Sequence, residues 1–208
     1  MAIHEHPHRT FGFGHRSRRN GAAATTATTT AAPAVASTAL GRTLAVVRVL
    51  TGGIFLWAFF DKTFGWGYAT PAGKGWIDGG SPTKGFLSSV SSGPLQSTFH
   101  DWAGAPWANW LFMLGLLGIG VALVAGVAMR FAAVAGTVMM ALMWTAEWPP
   151  AKHVSGGAPS MSSNPLIDYH VIYAVIIIAL AVAGAGLTWG LGTLWQRLPF
   201  VRDHRWLH

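Results

Sequence analysis

The sequence predicts an all-α membrane protein: a four-transmembrane-helix bundle with a partly helical extracytoplasmic loop. Three observations predict it. Four long apolar stretches, Leu40 to Phe60, Trp107 to Val127, Phe131 to Trp148 and Val171 to Trp189, approach or exceed the roughly 20 residues that a helix needs to cross a hydrocarbon core about 30 Å thick. The chain is 51% hydrophobic and only 10% charged, too few charges for an ordinary soluble surface. Its cations are also sorted: nine of ten arginines fall on one side of the stretches and all four lysines on the other.

The stretches should be helices, because unpaired backbone amides are costly in lipid and none of the four alternates with period two. Arginines 9, 16, 18, 19 and 42 precede the first, Arg130 lies between the second and third, and Arg197, Arg202 and Arg205 follow the fourth. Lys62, Lys74, Lys84 and Lys152 occupy the other two connections. The positive-inside rule then predicts a multi-pass plasma-membrane protein with both termini cytoplasmic and both long loops outside. Arg48 is the one cation inside a span.

Residues 1–39 read as a disordered cytoplasmic tail, since His and Arg without apolar periodicity give way to an Ala/Thr tract that cannot bury enough surface to fold. Arg18 and Arg19 resemble a twin-arginine signal. Asn20 and Gly21 follow where such signals carry bulky apolar residues, and Arg42 keeps this end inside. The transmembrane domain is expected over residues 40–192. Its outer loop, residues 61–106, is too long for a structureless connection. Ser81 with Pro82 and Gly93 with Pro94 look like helix starts. Phe86 and Val90, then Leu95, Phe99 and Trp102, are spaced as apolar faces of short helices at the membrane surface. Trp66, Trp76, Trp102, Trp107, Trp110, Trp144 and Trp148 fall near the outer boundary as an aromatic belt.

Only Ala128 to Arg130 separate the second and third spans, so these form a tight hairpin. Gly115, Gly118, Gly120 and Gly126, with Gly186 and Gly190, supply the close backbone approach that holds helices together in lipid. Residues 193–208 read as a basic cytoplasmic tail.

There is no cysteine, which removes disulfides, iron-sulfur clusters and covalently attached haem. Electron transfer would need a diffusible cofactor or a partner. The net charge of +7 is dispersed over two membrane faces, so no nucleic acid is expected. The glycines at 65, 67, 73, 75, 79 and 80 are turn residues, because no strand precedes them and no lysine-serine pair follows.

In the first span Arg48, Gly52, Phe55, Phe59 and Lys62 step by four and three and share one helix face. Arg48 either snorkels to the inner interface or pairs with another helix. On the outer side Asp61 and Lys62 end the first span, Glu147 ends the third, and Asp168, Tyr169 and His170 open the fourth. Asp168 can be an ordinary N-terminal charge on its helix, and Lys62 can pair with Asp61, Glu147 or Asp168. The functional reading of the same groups is a polar pocket at the lipid boundary that suits a quinone head group. Its candidate catalytic residues are His170, Glu147, Asp168 and Lys62. Trp144, Tyr173, Phe59 and Asp61 would lie against the cofactor. A metal held by His170, Asp168 and Glu147 with His153 or His100 matches no known ligand spacing, and none is expected.

The stretches RVLTGGIFLWAFFDKTFGWGYATP, SPTKGFL, WLFMLGLLGIGVALVAGVAMR, MMALMWTAEWPP, NPLIDYH and GLTWGLGTLW, over about residues 40 to 205, resemble the DoxX family of four-helix membrane proteins in its actinobacterial version. One member of that wider family, the DoxD subunit, belongs to a thiosulfate:quinone oxidoreductase, and others are similar to accessory proteins grouped with redox or sulfur-handling partners. The resemblance implies a quinone-linked membrane redox protein, in its most specific form the large subunit of a thiosulfate dehydrogenase, with Lys62, Asp168 and His170 at the matching polar positions. It also implies a membrane or extracytoplasmic protein partner beside the lipid bilayer, or a homo-oligomer. The alternative is a noncatalytic scaffold or assembly subunit of a redox complex. A transporter ranks lowest, because the spans show no inverted repeat with broken helices.

Overall fold

The structure, a computed structural model, describes residues 38–207. The tail expected over residues 1–39 lies outside them apart from Thr38 and Ala39. Among the described residues there is no strand.

α1 runs over Thr38–Phe64. The connection after it holds a 3-10 turn at Trp76–Asp78 and two short helices, α2 (Lys84–Ser88) and α3 (Gln96–Trp102). α4 (Pro106–Ala125) and α5 (Met129–Glu147) form a hairpin, and α6 (Tyr169–Val182) follows a long loop. α1, α4 and α5 are long and apolar enough to cross a membrane, and α6 is a shorter apolar helix. α1 packs on α4, α4 on α5, α5 on α6, and α6 touches α1, which closes the ring. Two ends result. The loop end carries α2, α3 and the 148–168 connection; the turn end carries Thr38 and the α4–α5 hairpin.

Phe55, Met113, Leu116, Leu123, Met140, Ile177 and Leu180 fill the centre. The outside is as apolar as the inside: Leu50, Leu111, Val134, Val138 and Val175 are exposed around the bundle. Such a surface is expected of helices whose outer solvent is lipid.

Without a hydrophobic drive between helices, contact depends on small residues. At Gly52 a Cβ would lie 2.8 Å from the Val124 side chain, so α1 meets α4 at backbone distance. Gly126 ends α4 with φ 72, left-handed, and its position would bring a Cβ within 3.0 Å of Gly186. Gly118, also expected at a contact, faces open space.

The stretch expected as a fourth span to Trp189 is helical only to Val182. Gly184 has φ 64, a 3-10 turn occupies Ala185–Leu187, and Trp189 has φ 50. This chain folds back under the turn end, and Arg48 holds it there. Arg48 is fully buried. Its Nη1 donates to the carbonyls of Leu123 and Val124, and its Nη2 donates to those of Trp189 at 2.9 Å and Thr188 at 3.5 Å. Of these two α4 carbonyls, Leu123 O also accepts the Gly126 capping amide at 3.2 Å; both lie at the negative end of the helix dipole, so a guanidinium is the group that suits them. The partner that the sequence left open for Arg48 is therefore backbone.

At the loop end, α2 and α3 start later than expected. The N-cap of α2 is Thr83, and its hydroxyl donates to Asn109 Oδ1 at 2.7 Å instead of capping. Ser81 Oγ and the Thr83 amide donate to the same oxygen, which ties the loop to the start of α4. Val90 and Phe99 bury their rings and branches against Ala146 of α5, so the apolar faces read from sequence do close over the bundle. The basic C-terminal segment is folded as well, into α7 (Gly192–Trp195), α8 (Pro199–Arg202) and a 3-10 turn at Arg205–Leu207.

Candidate functional site

The polar residues at the loop end are positioned by two helix termini. α5 stops at Glu147 because Trp148 takes a left-handed conformation, φ 43, and Pro149 and Pro150 follow, which cannot continue a helix. α6 starts at Tyr169 because Asp168 caps it. The Asp168 backbone is extended, and Oδ1 accepts the amides of His170 at 3.0 Å and Val171 at 3.2 Å. Just before it, Asn164 Oδ1 accepts the amides of Leu166 and Ile167 at 2.9 and 3.0 Å, and the Trp144 indole N–H donates to Leu166 O at 3.1 Å. The entry to α6 is thereby pinned to α5.

Capping uses one oxygen of Asp168. The other, Oδ2, lies 2.9 Å from His170 Nδ1. His170 is 1% exposed, and its Nε2 is buried with no hydrogen-bond partner. An ionised carboxylate only accepts, so beside an ionised Asp168 the proton of this bond sits on Nδ1, and in the neutral imidazole Nε2 then carries the lone pair. Glu147 Oε2 stands 4.0 Å from the same Nδ1, while Glu147 Oε1 accepts the Tyr169 hydroxyl at 2.6 Å. The Tyr169 ring lies 4.0 Å from the imidazole, and Tyr173 packs 6.3 Å from Tyr169.

A cavity of about 410 Å³ opens beside these groups, lined by Glu147, Asp168 and Tyr169, by Ser89 and Ser91 after α2, by serines of the 160–163 segment, and by Phe86 and Ile167. No lysine or arginine lines it. The site is therefore electronegative on its cavity side and presents a single basic nitrogen on its buried side.

Glu147, Asp168 and His170 offer one ligand atom each within 4.8 Å, close enough for a metal ion. Ligation through Nδ1 would put the imidazole proton on Nε2, where no acceptor is within reach.

Of the eight residues expected at the site, the structure brings Glu147, Asp168 and His170 together, with Trp144 and Tyr173 alongside. The α1 residues are engaged elsewhere. Asp61 is buried and accepts the amides of Thr70 at 2.8 Å and Tyr68 at 3.4 Å, folding the outer loop back onto α1. Lys62 rests with its ammonium 5.8 Å from the Phe112 ring, and no ion pair joins it to Asp61, Glu147 or Asp168 among the described residues. Phe59 packs against the core. Tyr169 was noted in sequence only as a neighbour of His170; its bond to Glu147 makes it part of the cluster, and no spacing rule signals a bond across 22 residues.

Comparison with known proteins gives one match. The model of the DoxX family fits residues 43–148, from α1 to the end of α5, and so includes Glu147 and stops before Asp168 and His170. No curated protein and no solved structure matches the chain. The family's pattern extends over half of this sequence, across the three helices that, among the described residues, are long and apolar enough to cross a membrane, and the chain belongs to the DoxX family.

Proposed function

We propose that this DoxX protein is a quinone-linked membrane redox protein of the thiosulfate:quinone type, and that its Asp168–His170 pair exchanges protons with the quinone head group. In this reading α6 and the chain after it complete a fourth span of a plasma-membrane protein, with the turn end cytoplasmic. The sorting of arginine from lysine supports that orientation.

The observation that carries the proposal is the buried, unpartnered Nε2 of His170; Arg48 Nε and Thr137 Oγ1 are unpartnered as well, but of the three only His170 adjoins the carboxylates of Asp168 and Glu147. A buried polar atom without a partner is costly, roughly 1–3 kcal/mol, so it persists where something other than packing requires it. The residues fit a quinone: aromatic and apolar groups on α5 and α6 suit its ring, and Nε2 suits one carbonyl oxygen. A bound quinone would supply the two-electron acceptor, and two thiosulfates with two protons would then give tetrathionate and quinol. His170 holds and delivers one proton at Nε2. Asp168 fixes the ring and its tautomer and stabilises the imidazolium. Tyr169 and Glu147 connect the pair to the cavity, from which protons are replaced. A sulfur dianion is repelled by that cavity's carboxylates, so its attraction falls to the exposed Lys74, Lys84 and Lys152 of the loops.

The test is purification in native lipid, with mass spectrometry for bound quinone and an assay of thiosulfate-dependent quinone reduction. His170→Gln and Asp168→Asn are expected to lower turnover by about 100-fold or more while leaving the protein folded. Unchanged turnover in His170→Gln would sink the proposal and leave the scaffold reading.

A further inference from the structure

We infer that the C-terminal segment from Trp189 to Trp206 is a membrane-surface collar that binds the anionic phospholipid headgroups of the leaflet at the turn end. A solvated basic tail would show neither of two features found here. The first is fixed attachment. Leu191 N donates to Ala125 O at 2.8 Å, the Trp195 indole donates to Leu207 O at 2.8 Å, the Trp206 ring meets Phe131 edge-on at 4.6 Å, and Val201 is 1% exposed. The second is the composition of the outward face. Leu191, Leu194, Leu198 and Phe200 point away from the bundle, Phe200 being 67% exposed, and Arg197 and Arg202 stand exposed among them.

Held in place, an apolar face of this kind is not a consequence of floppiness and needs a solvent that accepts it. Its position supplies one. The contacts to Ala125 and Phe131 set the segment at the depth where α4 ends and α5 begins, which is the boundary between acyl chains and headgroups for helices that cross the bilayer. There leucine and phenylalanine side chains enter the acyl margin while guanidinium groups reach phosphate oxygens. The charge is of the right sign: three arginines against one acid, Asp203, which lies 3.5 Å from Arg202 Nε. Anionic lipid in that leaflet attracts such a segment. The inference rests on the membrane-spanning reading of the helices and is independent of the quinone site.

The test compares full-length protein in nanodiscs of phosphatidylcholine alone and of phosphatidylcholine with 30% phosphatidylglycerol. Native mass spectrometry should find phosphatidylglycerol retained over phosphatidylcholine, and hydrogen exchange over residues 191–206 should slow in the anionic discs. Both effects should weaken at about 1 M salt, where the screening length is about 3 Å. Arg197→Glu with Arg202→Glu should lower the retention ratio by about fivefold for each arginine lost, and the Arg→Lys pair should keep the lipid preference. Equal retention of the two lipids by the unaltered protein, or exchange indifferent to lipid charge, overturns the inference whatever the variants do. Loss of quinone reduction with intact lipid preference would count against the redox proposal alone.

Discussion

The two ends of the bundle each bury one basic side chain, and they treat it in opposite ways. At the turn end the terminal nitrogens of Arg48 are spent on backbone carbonyls of Leu123, Val124 and Trp189. At the loop end His170 has one nitrogen bonded to Asp168 and the other bonded to nothing. Burial alone therefore does not separate a structural group from a functional one. Arg48 Nε is buried without a partner too, so an unpaired nitrogen does not separate them either; what does is the company each group keeps. The terminal nitrogens of the guanidinium bond only backbone and hold three segments together, whereas the imidazole stands among Asp168, Glu147 and Tyr169, side chains that can pass a proton.

This contrast can be broken most directly at Arg48. Arg48→Ala removes the side-chain donor to the Val124 and Trp189 carbonyls and empties a fully buried site, and is expected to cost about 2–5 kcal/mol, read as a large fall in thermal midpoint in detergent. Arg48→Lys should recover only part, because an ammonium cannot fork between the end of α4 and the Thr188–Trp189 chain as a guanidinium does. A melting curve for Arg48→Ala like that of the unaltered protein would remove the structural half of the contrast.

Smaller effects sharpen it. Gly186→Ala drives a methyl into the Gly126 carbonyl and should destabilise by about 1–3 kcal/mol, while Gly118→Ala should melt like the parent, since nothing lies within 4 Å of its added carbon. Asp61→Ala frees the amides of Tyr68 and Thr70 and should cost about 1–2 kcal/mol, with faster protease cleavage between residues 66 and 80 as the specific sign. Tyr169→Phe removes one partly exposed hydrogen bond and should change stability by less than about 1 kcal/mol, so that a drop in quinone reduction in this variant would mark a proton route and not a folding defect.

Hydropathy scales placed the helices well because they report solvent preference, and lipid is an unforgiving solvent. They misjudged the end of the fourth stretch for the same reason. Ala183 to Leu187 is apolar throughout, yet Gly184 takes a left-handed backbone, and a hydropathy scale does not register φ. Convergence of Glu147, Asp168 and His170 was legible from helix ends on one side of the membrane. The separation of Asp61 and Lys62 from them was not, since it depends on how α1 is rotated against α4 and on a loop that returns two amides to Asp61. Asn109 gave no signal at all: its role comes from Ser81 and Thr83, more than 25 residues away, and the Ser81 hydroxyl looked like a helix cap.

α1 measures about 40 Å from end to end and α6 only about 21 Å, at 1.5 Å per residue. In the four-span reading these unequal walls stand in the same bilayer, whose apolar thickness is about 30 Å. Lipid beside α6 must compress or be replaced at depth by the folded chain from Gly184 to Trp189, while lipid beside α1 need not. In that reading the protein would impose a thickness gradient around its own circumference, and hydrophobic mismatch would favour neighbours, whether lipids or proteins, that prefer the thinner side.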